Sequence, residues 1–151
     1  STDAAGVGLV RTQADTGDEL VLRVKSVTVS SPSGGTFADV DDFIPQGCIP
    51  ISLTLKVTTQ IPNSRTVDQV GVIVGGAAEP AYFAATGLGL GPNTSGGSES
   101  KLLAPRIGAS TNFPTIFTGD NNDLRLTFSA DPGATTGRVR VTMFYYQATV
   151  G

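Results

Sequence analysis

The segment from Ile49 to Thr58 constrains the fold more than any other part of the sequence, because its side chains alternate between apolar and polar. A period of two with a single apolar face is typical of a half-buried antiparallel strand. The apolar positions that we expect on the buried face are Ile49, Ile51, Leu53, Leu55 and Val57. The sequence therefore predicts a sheet protein rather than a helical one.

The same alternation returns near the C-terminal end, at Leu124 to Ser129 and Arg138 to Tyr146. In the last strand we expect Val139, Val141, Met143 and Tyr145 on one face. The opposite face begins polar and ends with Phe144 and Tyr146, which indicates a second contact at that end, with a neighbouring subunit.

Weaker patterns complete the sheets. Leu20 to Ser30 places Leu20, Leu22 and Val24 in one phase and then changes phase, as a β-bulge would allow. Further strands are predicted at Val67–Val74, Ala81–Ala85 and Phe113–Phe117, separated by turn segments rich in Gly, Pro, Asn and Asp. Strands at this spacing predict an all-β antiparallel sandwich of the jelly-roll kind.

The chain has 151 residues, enough for one domain with its own core. Residues 1–18 lack periodicity and are interpreted as an extended arm, and 19–151 as the sandwich. Such arms often become ordered only against a neighbour, so Val7, Leu9 and Val10 join Phe144 and Tyr146 as predicted interface residues.

Composition also favours a protein whose surface is partly covered. Only 15% of the residues are charged, against about 25% in typical soluble domains. The formal net charge is −3, and the ten Lys and Arg residues are scattered singly along the sequence. Nucleic-acid binding needs clustered cations, so we do not expect it. No apolar run is long enough for membrane insertion.

The sequence lacks most of the residues that catalysis requires. It contains no His and a single Cys, Cys48, which excludes Ser–His–Asp and Cys–His nucleophiles. Cys48 precedes an apolar strand and is predicted to be a small buried side chain. We therefore expect neither catalytic residues nor a cofactor.

Two groups of carboxylates could in principle bind calcium. One comprises Asp39, Asp41 and Asp42, and the other is the turn from Asp120 to Asp123. The second group lacks the spacing of an EF-hand loop, and for both groups a turn or a solvated strand edge is the better interpretation. We predict no metal site, and nothing pairs the carboxylates as a glycosidase would need.

The longest irregular segment runs from Gly87 to Ser100, and we expect it at one end of the sandwich. Loops of this length often bind partners. Residues that could recognise a receptor or a glycan are Tyr82, which precedes this loop, Asn93 within it, and Asp120, Asn121, Asn122 and Asp123 of the second acidic turn.

The order of these motifs resembles a known family. The first matching segments are the Pro- and Gly-containing bend at 44–49, the alternating strand at 51–58 and the strand at 70–75, which ends in Gly. They are followed by the aromatic segment at 82–84, the Leu-Arg-Leu-Thr sequence at 124–127 and the closing strand at 137–146. Over roughly residues 20 to 147 the chain is similar to the C-terminal β-module of phage and gene-transfer-agent fibre and head-spike proteins. The long loop at Gly87 to Ser100 and the turn at Asp120 to Asp123 depart from that pattern.

The resemblance implies a non-enzymatic, homotrimeric protein on the virion surface, forming a capsid decoration, a head spike or a fibre tip. Its implied partners are other copies of itself and virion proteins such as the major capsid protein or a fibre shaft. The alternative is a module of a tail fibre that binds a receptor or a host-surface glycan.

Overall fold

Strands make up the fold in the computed structural model, which describes residues 10–13, 19–74, 77–84, 87–94, 100–104 and 122–149. Within these ranges the strands are β1 (Val10–Gln13), β2 (Glu19–Ser30), β3 (Phe37–Ile44), β4 (Cys48–Thr59), β5 (Val67–Val74), β6 (Ala77–Ala84), β7 (Ser100–Leu103), β8 (Asn122–Phe128) and β9 (Arg138–Thr149). A single 3-10 turn, Pro62–Ser64, separates β4 from β5. The prediction of an all-β domain is confirmed.

The strands form two antiparallel sheets. One has five strands in the order β1-β2-β9-β4-β7, and the other has four in the order β3-β8-β5-β6. Strands β2 to β9 thus follow the order of a jelly roll, in which two four-stranded sheets are linked by Greek-key connections. Successive strands change sheet at every step except from β5 to β6, which are neighbours in the second sheet. Strand β1 extends the first sheet beyond this eight-strand pattern by pairing with β2.

The core lies between the two sheets and follows the predicted alternation on β8 and β9. Fully or almost fully buried side chains there include Leu124, Leu126, Phe128, Val139, Val141, Met143 and Tyr145. They meet Leu53, Leu55 and Val57 of β4 and Val67, Val70 and Val72 of β5 in one continuous apolar cluster. Burial of these facing stripes is the main force that holds the sheets together.

The predicted change of phase in β2 is wrong. All twelve residues of β2 pair with β9 in one unbroken register, from Glu19 opposite Thr149 to Ser30 opposite Arg138. Val21 and Val29 are buried, whereas Val24 is 48% exposed. The leucine and valine phase that begins this strand therefore belongs to the outer face of the sheet.

The expected single face of β4 is also wrong at its N-terminal end. Pairing with β9 shifts between Pro50 and Ser52, which leaves Ile51 at a β-bulge. The extra residue exchanges the faces, so Cys48 and Pro50 are buried and Ile51 is exposed. Only Leu53, Leu55 and Val57 point into the core as predicted.

Three strands were not predicted: β1, β3 and β7. Strand β3 contains three Asp residues, a type depleted in strands, and β1 and β7 have only four residues each. The interpretation of 1–18 as an arm stays a prediction; of these residues the structure describes 10–13 alone. The predicted strand Phe113–Phe117 lies outside the described residues.

The loops at one end of the sandwich bind one another. The Ser31 hydroxyl donates to the carbonyl oxygen of Ala134 at 2.6 Å and accepts from the Gly137 amide at 3.0 Å. The Asn63 side-chain amide donates to the Pro132 carbonyl at 2.7 Å. A Cβ on Gly137 would lie 3.0 Å from the Cα of Ile61, so the close approach requires glycine. In the described part of the chain, no helix is long and apolar enough to span a membrane.

Candidate interaction surface

The outer face of the five-stranded sheet is apolar at one end. Tyr146 in β9 lies between Leu22 of β2 and Ile49 of β4 in the strand register, and Phe144 lies opposite Val24. Val10 of β1 pairs with Leu22 and so continues the same row by one strand. We call Leu22, Val24, Ile49, Ile51, Phe144 and Tyr146 the apolar patch.

Several side chains of the apolar patch are exposed to an unusual extent for their type. Val24 is 48% exposed, Phe144 39% and Ile51 37%. Leu102 of the edge strand β7, opposite Thr54, is 74% exposed on the same face. Contiguous exposed apolar groups on a β-sheet commonly mark a contact surface.

The other end of this outer face is polar and basic. The hydroxyls of Ser26 and Thr142 form a cross-strand hydrogen bond of 2.8 Å at the boundary with the apolar patch. Beyond it, Arg140 lies directly opposite Lys56, and both are exposed. Arg138 follows in β9 and donates to the carbonyl oxygens of Thr135 and Gly137. The face therefore passes from apolar to cationic along its strands.

The outer face of the four-stranded sheet has a different chemistry. Arg125 of β8 donates from Nε and Nη2 to the two carboxylate oxygens of Asp39 in β3, at 2.7 and 2.8 Å. The guanidinium carbon lies 3.8 Å from the ring centroid of Phe37, which is 48% exposed. The hydrogen bonds to Asp39 raise the pKa of Arg125. A stacked, bidentate arginine is thus held rigidly on this face.

Two acidic side chains, Asp39 and Asp123, interact with that arginine. The carboxylate of Asp123 accepts the Asp42 amide at 2.8 Å, where β3 is irregular and Asp42 has a φ of 55°. Asp41 is exposed beside them. Across the described ranges no three His, Cys, Asp or Glu side chains are grouped so that they could hold a metal ion.

The single cysteine lies beneath the apolar patch, on the inner side of the sheet. Cys48 is fully buried, as predicted. Burial raises the pKa of its thiol to about 12, and the nearby Lys25 only partly opposes this. Burial also raises the pKa of the adjacent Tyr145. A thiol this buried stays protonated and is a poor nucleophile at neutral pH.

The predicted receptor-binding residues do not form one cluster in the described structure. Asn93 is exposed near Ile61, whose amide donates to the carbonyl oxygen of Pro92 at 2.9 Å. Asn122 begins β8 opposite Ile44, at the other end of the sandwich. Tyr82 lies in β6, and its side chain is outside the described set. Asp120 and Asn121 lie outside the described residues.

Three of the five predicted interface residues lie within the described ranges, and they share one face of the sheet. Phe144 and Tyr146 lie on one outer face, and Val10 joins them by register, whereas Val7 and Leu9 lie outside the described residues. Sequence reasoning missed the remaining members of the apolar patch: Leu22, Val24, Ile49 and Ile51. The signal was present in β2, where two interleaved apolar phases showed that both faces are hydrophobic.

Comparisons with known proteins add little to this description. No family model matches the chain, and no curated protein matches its sequence. A solved structure titled "Capsid of Ralstonia phage GP4" aligns at 18% sequence identity over 87% of this chain and 86% of that chain, with a TM-score of 0.48. A likeness of this size assigns neither a family nor a function.

Proposed function

We propose that this protein is a non-enzymatic structural component of the exterior of a phage virion, as a capsid decoration, a head spike or a fibre tip. The observation that carries the proposal is the apolar patch on the outer face of the five-stranded sheet. Val24, Ile51 and Phe144 are exposed there although the same strands bury a complete core on their inner side. Such a face is suited to contacts with other protein subunits.

The fold and the chemistry of the chain support the same function. Jelly rolls are the usual domains of viral capsids and of lectins, although a fold alone assigns no function. The sequence motifs resemble those of phage fibre and head-spike modules. The chain has no His, and its one thiol is buried and protonated. A role in assembly needs neither a histidine nor a reactive thiol.

The glycan-binding alternative has weaker support. A lectin site would bring its polar side chains together at one end of the sandwich, whereas Asn93 and Asn122 lie at opposite ends. Asn122 and Phe128 are at the two ends of β8, six positions apart, which is about 20 Å of strand. The exposed apolar side chains of the apolar patch lie along the outer face of a sheet, whereas small-molecule sites are usually concave.

The test is detection of the protein on intact particles. Phage particles purified from a strain that carries the gene are probed with antibodies raised against the isolated domain, and labelling is viewed by electron microscopy. We expect label on the outside of unbroken particles. Label that appears only on disrupted particles would contradict an exterior position, and protein that stays free in the lysate would refute a structural role. Binding of the monomer to a glycan array with no particle label would favour the lectin.

A further inference from the structure

The fold separates the charges of this chain by sheet. The five strands β1, β2, β4, β7 and β9 contain seven Lys or Arg residues and one Glu, a net charge of +6. The four strands β3, β5, β6 and β8 contain six Asp or Glu residues and one Arg, a net charge of −5. Cations that are scattered along the sequence are therefore gathered in one sheet. By register Lys56, Arg138 and Arg140 lie on its outer face, whereas Arg23, Lys25 and Lys101 lie opposite the buried residues Tyr145, Met143 and Leu55.

The cations on the outer face of the five-stranded sheet have no acidic partner within the described residues. Lys56 and Arg140 lie directly opposite each other in adjacent antiparallel strands. Like charges at opposed positions destabilise a sheet. Neither side chain forms an ion pair in the described part of the chain, where the one ion pair joins Arg125 to Asp39. An acidic surface laid on this face would remove the repulsion.

The other outer face offers such a surface. Asp39 is already neutralised by Arg125, but Asp41 is exposed and lies next to Asp42 and Asp123. Arg125 is engaged by Asp39 through two hydrogen bonds, and Lys25 lies over the ring of Phe43, which follows Asp42. Within the described residues no ion pair joins a cation to Asp41, Asp42 or Asp123, so acidic side chains predominate at this end of the four-stranded sheet.

The two faces also match in spacing. On the five-stranded sheet, Phe144 and Arg140 are four residues apart on the same side of β9. On the four-stranded sheet, exposed Phe37 and Asp41 are four residues apart in β3. The first interval is about 13 Å at roughly 3.3 Å per residue. The second begins in the part of β3 that pairs regularly with β8, Phe37 to Val40, and ends one residue beyond it. An apolar contact between the two Phe positions would thus align cations with carboxylates.

We infer that the partner of the apolar patch is a second copy of this chain, docked with the outer face of its four-stranded sheet on the outer face of the five-stranded sheet. The contact is heterologous, since two basic faces would repel each other. Repeated from copy to copy, it closes a ring or builds a filament. This inference deepens the proposed function by naming the partner of that surface, and it is tested on the purified protein alone.

The experiment is a charge exchange followed by sedimentation velocity of the purified full chain over a range of concentrations. Wild-type protein is expected to self-associate, and more weakly as salt is raised. Arg140→Glu alone and Asp41→Lys alone are each expected to weaken association by about tenfold or more, because each places like charges in contact. The double variant restores opposite charges and is expected to recover most of the association.

Lys101→Glu is the matched control. It makes the same charge change on the same sheet, but Lys101 pairs with Leu55, an inward position, and not with the outer face. Circular dichroism confirms that each variant is folded. Wild-type protein that stays monomeric, association that is unaffected by salt, or a double variant weaker than both singles would each overturn the inference. Particle labelling together with a monomer in solution would overturn this inference and leave the proposed function standing.

Discussion

The two outer faces of the sandwich differ in how far their charged side chains are compensated by neighbouring groups. On the four-stranded sheet, Arg125 is bound by Asp39 and stacked on Phe37, so its charge is compensated within the domain. On the five-stranded sheet, Lys56 and Arg140 face each other beside the exposed apolar patch. The arginine of the four-stranded sheet is thus compensated within the isolated chain, whereas the two opposed cations of the five-stranded sheet would gain from an acidic partner.

The largest expected effect comes from the shared core, where the two sheets are alike. Leu53→Ala on the five-stranded sheet and Leu126→Ala on the four-stranded sheet should each lower the free energy of unfolding by about 2–5 kcal/mol, because both side chains are fully buried. Urea denaturation measures this. Val24→Ala, on the outer face, should cost less than about 1 kcal/mol. If it cost as much as the core variants, the apolar patch would be covered within the domain.

The second prediction tests whether water reaches the Cys48 thiol, which is buried beneath the apolar patch. The pKa of the Cys48 thiol rises from 9.0 to about 12 on folding. Below pH 9 the thiol is neutral in both states and stability is unaffected. Between pH 9 and 12 the unfolded state loses its proton while the folded state keeps it, so stability should fall by about 1.4 kcal/mol per pH unit.

The measurement is the difference in unfolding free energy between the wild type and Cys48→Ala across that range of pH. The difference isolates the thiol from lysines and tyrosines that titrate in the same window. A difference that does not change with pH would show that the thiol is accessible to water.

The third effect concerns the compensated arginine. Arg125→Ala removes two hydrogen bonds to Asp39 and the contact with the Phe37 ring. Both carboxylate and guanidinium are about one quarter exposed, so solvent screening limits the loss in unfolding free energy to about 1 kcal/mol. Thermal denaturation at low salt measures it. Arg125→Lys should recover only part of the loss, because an ammonium cannot bind both oxygens in the same plane.

The smallest expected effect is that of Arg140→Gln, and it tests the difference between the two outer faces most directly. Arg140→Gln should leave the stability of the monomer unchanged or raise it by a few tenths of a kcal/mol, because it relieves repulsion with Lys56. The gain should vanish at high salt. A loss comparable to that of Arg125→Ala would mean that Arg140 is also compensated inside the domain, and the comparison of the two faces would fail.

Alternation in the sequence determined the fold class and most of the core. Strands β8 and β9 and the C-terminal half of β4 bury the predicted residues, because a side-chain period of two fixes which face meets the other sheet. The burial of Cys48 was predictable from its apolar neighbours, and the segments between strands from their Gly, Pro, Asn and Asp residues, which favour turns.

Only the tertiary structure decided what lies on the outside. The bulge at Ile51 exchanges the faces of β4, and the unbroken pairing of β2 with β9 places Val24 outward. The sequence did not reveal that singly spaced cations would gather on one sheet, nor that Asn93 and Asn122 would separate to opposite ends. These properties depend on which strands become neighbours, and strand pairing joins residues more than a hundred positions apart, such as Ser26 and Thr142. Periodicity along the chain carries no information about such partners.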